Sequence, residues 1–173
     1  MRILLIGGSK SGKSRLAQEL CRTLGGRLVY WATMEPTDGE DLARIARHRQ
    51  ERAGWGFATV EQGRAPLEHP LAEGATVLFD SVTALLANEM FGKELDRTAV
   101  ERVGDALLSL SRRCRHMICV CDGVWFDGMA YDEATRDYAR GLALICRRLA
   151  PEFDTVCEVT AGVACCRKGG LPR

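Results

Sequence analysis

Gly7-Gly8-Ser9-Lys10-Ser11-Gly12-Lys13-Ser14 is the stretch on which the reading of this chain turns. It fits G-x-x-x-x-G-K-[ST], and its flanks fit too. Arg2 to Ile6 is a short apolar run that ends at the glycines. Lys13 to Leu24 follows with helical periodicity at Leu16, Ala17, Leu20 and Leu24. A strand, a glycine-rich turn and a helix are what a phosphate-binding P-loop requires. Glycines let successive backbone N–H groups face inward, where a side chain would block a polyphosphate. The helix N-terminus adds partial positive charge at the same point. Lys13 then reaches the β- and γ-phosphates, and the Ser14 hydroxyl ligates Mg²⁺. The expected ligand is a nucleoside triphosphate.

Working outward, 173 residues suit one domain, 1–173, with a continuous core. Lys+Arg number 24 against 23 Asp+Glu, so global charge makes no case for nucleic acid or an acidic membrane. Five apolar residues before the glycines are too few for a signal peptide, and no apolar run is long enough to span a bilayer. A cytoplasmic location is the expectation. The eight cysteines include no C-x-x-C. Cys119 and Cys121 share a strand face without a histidine pair nearby, which argues against zinc. A disulfide framework fits poorly with a cytosolic chain, so most cysteines are expected as small buried apolar residues. Cys165-Cys166 is the pair expected to be exposed and open to oxidation.

Gly25-Gly26 stops the first helix, and Arg27 to Trp31 reads as a second strand, leaving the sheet at Ala32-Thr33-Met34. Asp38 is a candidate N-cap for a helix from about Glu40 to Arg52. Trp55 to Val60 reads as a third strand ending at Glu61. Gln62 to Gly74 reads as a loop with a short helix and an exposed His69. Ala75 to Asp80 is an apolar strand closed by an acid, the Walker-B pattern, in which Asp80 holds Mg²⁺ or its waters; an aspartate there could also simply cap the next helix. Val82 to Phe91 reads as an apolar helix interrupted by Asn88. Leu95 to Arg113 is an amphipathic helix with a basic end (Arg112, Arg113, Arg115, His116) that suits its dipole. Met117 to Cys121 is a buried strand ended by Asp122-Gly123. A loop, Val124 to Ala130, exposes Trp125, Phe126 and Met129. A long helix, Asp132 to Leu149, precedes closing strands at Asp154 to Thr160 and Val163 to Cys166.

Strands alternating with helices and buried on both faces predict an α/β fold of P-loop NTPase type, three-layered, with a mostly parallel central sheet. Ligands of such sheets bind at the carboxyl ends of the strands. Gly7, Thr33, Glu61, Asp80 and Asp122 all fall at predicted strand ends, so one crevice can collect them.

The helix at 40–52 carries a second chemical candidate. Leu42, Ile45, Ala46 and the Arg49 stem form one stripe. His48 lies off it, on the side of Asp41, Arg44 and Arg52. Flanking arginines disfavour imidazolium, which leaves a neutral nucleophile or base beside groups suited to phosphate. Spacing alone favours the plainer alternative, a solvated face with a spectator histidine.

With these residues laid out, the chain resembles the bifunctional adenosylcobinamide kinase/adenosylcobinamide-phosphate guanylyltransferase family of cobalamin biosynthesis. The matching pieces are G-G-S-K-S-G-K-S at Gly7 to Ser14, Y-W-A-T at Tyr30 to Thr33, R-I-A-R-H-R at Arg44 to Arg49, T-V-E at Thr59 to Glu61, and V-L-F-D-S-V-T-A-L-L-A-N at Val77 to Asn88. The resemblance implies that a histidine at the position of His48 attacks the α-phosphate of GTP, releases pyrophosphate and carries GMP as a phosphoramidate. The GMP then passes to adenosylcobinamide phosphate, a corrinoid, and the same protein phosphorylates adenosylcobinamide, with ATP and GTP as substrates.

By the same resemblance, Ala32, Thr33, Met34, Arg49, Gln50, Glu51, Arg52 and Glu61 hold the guanine nucleotide. Glu61 is suited to accept from guanine N1–H and N2–H₂. The family's habit is a homotrimer. The second half departs from the family pattern: Asp122-Gly123-Val124-Trp125 stands where an N-E-V-G-like segment is expected, and Ala164-Cys165-Cys166 stands where the family is aliphatic. Trp125, Phe126 and Met129 either line an altered acceptor pocket or pack against a neighbouring subunit. Two other functions remain open: a P-loop kinase of another small molecule, and a catalytically silent nucleotide binder.

Overall fold

The computed structural model describes residues 1–36, 39, 46, 50, 53–92, 94–124 and 130–172. The expected helix at 40–52, with His48, Arg49, Glu51 and Arg52, lies outside the described residues apart from Ala46 and Gln50. Trp125, Phe126 and Met129 also lie outside them.

Seven strands form one sheet. They are β1 (Arg2–Gly7), β2 (Arg27–Ala32), β3 (Ala58–Glu61), β4 (Ala75–Asp80), β5 (His116–Asp122), β6 (Thr155–Thr160) and β7 (Val163–Lys168). Their order is β3-β2-β4-β5-β1-β6-β7. Every pairing is parallel except β6 with β7. Among the described residues, four helices accompany them: α1 (Lys13–Leu24), α2 (Val82–Met90), α3 (Ala99–Arg113) and α4 (Glu133–Glu152).

The apolar strands explain the layering. Ile3, Leu4 and Leu5 are all fully buried, as are Val77, Leu78 and Phe79, so side chains on both faces of β1 and β4 need cover. On one face Ile3, Leu5, Leu78 and Ile118 pack with Ala17, Leu20 and Cys21 of α1. On the other, Leu4, Val77, Phe79 and Cys119 pack with Leu85, Leu107 and Leu142 of α2, α3 and α4. The result is three layers, as the alternation of elements predicted.

Several boundaries move, each for a local reason. β3 starts at Ala58 rather than Trp55, because Gly54 and Gly56 take positive φ values of 82° and 80° and turn the chain. Residues 62–74 contain no helix; bends held by the Gln62 side-chain amide donating to the Ala65 carbonyl (2.9 Å) replace it. His69 is half-buried, edge-on to the Trp31 ring at 5.3 Å, and not simply exposed. α2 runs through Asn88 without interruption. α3 starts at Ala99, because Leu95 bridges back to Phe91 and the Asp96 carboxylate accepts from the Thr98 N–H and hydroxyl. At the basic end of α3, Arg113 donates to the carbonyls of Leu67 and His69, tying the helix to the loop that packs on Trp31.

The cysteine expectation needs a larger correction. Cys157 and Cys166 face each other across β6 and β7 and form a disulfide. Of the pair expected to oxidise, Cys166 is in that bond and Cys165 is an exposed free thiol. Cys21, Cys114, Cys119, Cys121 and Cys146 are buried and free, as expected of small apolar fillers.

Candidate active site

β1 delivers the glycine-rich loop to the carboxyl edge of the sheet. Gly7, its last residue, lies so close to β6 that a Cβ would run into the Val159 carbonyl. Gly12 holds φ at 96°, a conformation open to glycine, and stands at the N-cap of α1 without a side-chain cap. The first N–H groups of α1 are therefore available to a ligand's oxygens. The tip of the β6–β7 hairpin supports the loop from outside: Gly162 N–H donates to the Ser11 carbonyl at 2.8 Å. Gly8, Ser9 and Lys10 are exposed at the loop's crest, and Ser11 and Ser14 are half-buried.

Lys13 is 5% exposed. Its ammonium donates to the Gly8 carbonyl at 2.6 Å and lies 3.4 Å from Ser11 Oγ. It is ion-paired to Asp122 Oδ1 at 2.9 Å. Asp122 reaches this position because β5 is the parallel neighbour of β1, with Gly7 and Asp122 in register.

Two strands further on, a second group of strand ends is cross-linked. Ala32 is in register with Glu61 on one side and Asp80 on the other. The Asp80 carboxylate accepts from the Tyr30 hydroxyl at 2.7 Å. Thr33 is fully buried; its hydroxyl donates to the Ser81 carbonyl at 2.8 Å and accepts from the Ser81 N–H at 2.7 Å. The Asn88 amide donates to the Thr33 and Gly63 carbonyls at 2.7 and 2.9 Å, which binds the loops after β2 and β3 to α2. Met34 is half-buried beside them, while Glu61 and Gln50 are exposed.

Ser81 caps α2, its hydroxyl accepting from Ala84 N–H. Asp80 is therefore not the cap that the sequence left open, and its carboxylate meets Tyr30 instead. Ser14 and Asp80 are oxygen donors of the kind Mg²⁺ takes. Among the described residues no group of three or more His, Cys, Asp or Glu could hold a metal ion alone. That donor set suits an ion that keeps its waters and shares phosphate oxygens, as Mg²⁺ does.

Strand order thus brings together Gly7 to Ser14, Asp122, Asp80, Thr33 and Glu61 along one edge. Sequence reasoning missed the partners that hold them: Tyr30 for Asp80, Asn88 for Thr33 and Gly63, and Thr83, whose hydroxyl accepts from the Asp122 N–H at 2.8 Å. Asn88 left a trace in sequence, a polar residue in an apolar helix. Thr83 left none.

The chain is similar to known proteins in sequence and in fold. Residues 3–166 match the family model described as "Cobinamide kinase / cobinamide phosphate guanyltransferase". The chain is 32% identical over 174 residues to the bifunctional adenosylcobalamin biosynthesis protein CobP of Pseudomonas aeruginosa, covering 98% of both. It is 28% identical over 177 residues to the bifunctional adenosylcobalamin biosynthesis protein CobU of Salmonella typhimurium, covering 94% of this chain and 97% of that one. Among solved structures, a type III secretion system ATPase superposes with a TM-score of 0.51 at 14% identity, over 96% of this chain and 56% of the other. A Pyrococcus horikoshii OT3 protein superposes with a TM-score of 0.54 at 12% identity, over 97% and 86%. Those two likenesses concern the fold. No helix among the described residues is long and apolar enough to cross a membrane.

Proposed function

The chain belongs to the cobinamide kinase/cobinamide phosphate guanyltransferase family, and from that premise we propose that it phosphorylates adenosylcobinamide and then transfers GMP from GTP to the product through a guanylyl-His48 intermediate. The observation that carries this reading is the buried Lys13 ammonium at the head of α1, at the seat a triphosphate takes on a P-loop.

In the kinase step the acceptor hydroxyl oxygen attacks the γ-phosphorus of ATP or GTP. The bridging P–O bond breaks, the nucleoside diphosphate leaves, and the hydroxyl proton passes to solvent. Lys13 and the N–H groups of the loop hold the phosphate oxygens in line, and such positioning is most of what phosphoryl transfer asks of a protein. In the second step an imidazole nitrogen of His48 attacks the α-phosphorus of GTP, pyrophosphate leaves, and a P–N bond forms. A phosphate oxygen of adenosylcobinamide phosphate then attacks the same phosphorus. The P–N bond breaks, His48 is released, and adenosylcobinamide-GDP carries the new P–O–P link. Covalent catalysis of this kind splits one difficult displacement into two. Ser14 and Asp80 would hold Mg²⁺ together with the nucleotide, and the ion would supply charge neutralisation on the phosphates. Glu61 accepts from the guanine N1–H and N2–H₂, and Ala32, Thr33, Met34, Arg49, Gln50, Glu51 and Arg52 complete the nucleotide's surroundings.

The test is incubation with Mg²⁺ and GTP labelled at the α- or the γ-phosphate, for wild type and His48→Ala, on denaturing gels run at alkaline pH, because a phosphoramidate is acid-labile. Label retained from the α position only, and lost in the variant, is expected. Absence of α-label where GTP binds would remove the guanylyl-enzyme and leave a kinase or a silent nucleotide binder.

A further inference from the structure

We propose that Asp122 is a positioning residue that acts through Lys13: its carboxylate competes with nucleotide phosphates for the P-loop ammonium and so sets how tightly a nucleoside triphosphate is held. The proposal rests on the reading of Gly7 to Ser14 as the nucleotide site.

Lys13 distributes its ammonium over three oxygens: the Gly8 carbonyl, Ser11 Oγ and Asp122 Oδ1. Of these three, only Asp122 carries a charge. A phosphate that takes the ammonium has to take it from that carboxylate. Asp122 cannot follow, because its backbone is pinned on two sides. Its N–H donates to Thr83 Oγ1 at 2.8 Å, and the next N–H, of Gly123, donates to the Gly7 carbonyl at 2.9 Å. Thr83 is itself anchored to α4, where the Tyr138 hydroxyl donates to its carbonyl at 2.9 Å. An aspartate side chain is too short to swing clear of a loop to which its own backbone is tied.

Two electrostatic costs therefore fall on an arriving triphosphate. It weakens an ion pair in which the lysine is almost wholly buried, and it brings its own negative charge beside a carboxylate that is two-thirds buried. A neutral residue at 122 removes both.

The experiment is equilibrium binding of Mg²⁺–GTP and Mg²⁺–ATP, with GMP as a control, to wild type, Asp122→Asn and Asp122→Glu, each checked for folding by circular dichroism. Asp122→Asn is expected to bind both triphosphates several-fold more tightly and GMP unchanged, because GMP does not extend to Lys13. Asp122→Glu keeps the charge on a side chain one methylene longer, and is expected to tighten triphosphate binding less than Asp122→Asn does. Asp122→Ser replaces Asp122→Asn if the latter does not fold. Unchanged or weaker triphosphate binding in the neutral variant overturns the competition while leaving the nucleotide site intact. Equal tightening for GMP overturns it too, since a general loosening of the site would then be the cause. Failure of wild type to bind any triphosphate overturns the nucleotide-site reading and the proposal together.

Discussion

Thr33 shows how much one hydroxyl can hold. It is fully buried at the end of β2, and its oxygen both donates to and accepts from the backbone of Ser81, the residue that caps α2. Replacing it by valine preserves shape but leaves a backbone donor and acceptor without these bonds. Each buried group so orphaned costs about 1–3 kcal/mol. Thr33→Val, which orphans two such groups, is therefore expected to lower unfolding free energy by about 2–6 kcal/mol in urea titrations, with Thr33→Ser close to wild type. Coincident midpoints for Thr33→Val and wild type would mean that water replaces the hydroxyl and that the link between β2 and α2 has little energetic weight. The sequence placed Thr33 at a strand end but could not show this link. Thr33 and Ser81 are 48 residues apart, and a motif or a hydrophobic period reports only near neighbours. Lys13 makes the same point: its loop was legible because all eight residues are contiguous, while its partner Asp122 depends on β5 lying beside β1.

Among the elements, the β6 and β7 strands were read nearly to the residue, but their cross-strand pairing was not, although its signal was present. Ala161 and Gly162 have φ values of 50° and 80°, the primed-turn geometry of a two-residue hairpin loop. Once that turn pairs Thr160 with Val163, counting back three residues on each side sets Cys157 opposite Cys166. The expectation that most cysteines are small buried apolar residues holds for five of them, and for Cys157 and Cys166 the hairpin register overrides it. The consequence is a thiol count. Burial pushes the Cys21 thiol up to about 12 and the Cys114 thiol to about 11. It holds Cys119 well above its ordinary range, and a hydrogen bond with Cys146 together with burial does the same for Cys121. Thiolate is the reactive form, so these groups are inert near pH 8. In unreduced native protein Ellman's reagent is expected to titrate Cys165 quickly, and the five buried free thiols only after unfolding. Two or three fast thiols in unreduced protein would show that Cys157 and Cys166 are not bonded in solution.

At the scale of the whole molecule, the strand order separates two groups of strand ends that a linear reading lays side by side. β1 carries the P-loop and β3 carries Glu61, with β5, β4 and β2 between them. Four strand spacings of about 4.8 Å put these strand ends about 19 Å apart. Asp80, on β4, stands between them, with Ala32 closing β2 and Thr33 just after it. A loss confined to the β3 end should therefore touch guanine recognition and spare phosphoryl transfer at Lys13, whereas a loss at Lys13 removes charge stabilisation from the phosphates. On the function proposed above, Glu61→Gln forfeits a charge-assisted acceptor for guanine, and hydrogen bonds to charged groups contribute about 1.5–3 kcal/mol. The expected result is a rise of roughly ten- to a hundredfold in the GTP concentration needed for α-label incorporation at equal kcat. Phosphorylation of cobinamide with ATP should change less than about twofold, on the same reasoning that separated sites act independently. Lys13→Ala should abolish that phosphorylation. Measuring both reactions on both variants decides the matter, because a Glu61→Gln enzyme that loses ATP-dependent phosphorylation in proportion to its guanylylation would place one nucleotide, and not two separable tasks, along this edge of the sheet.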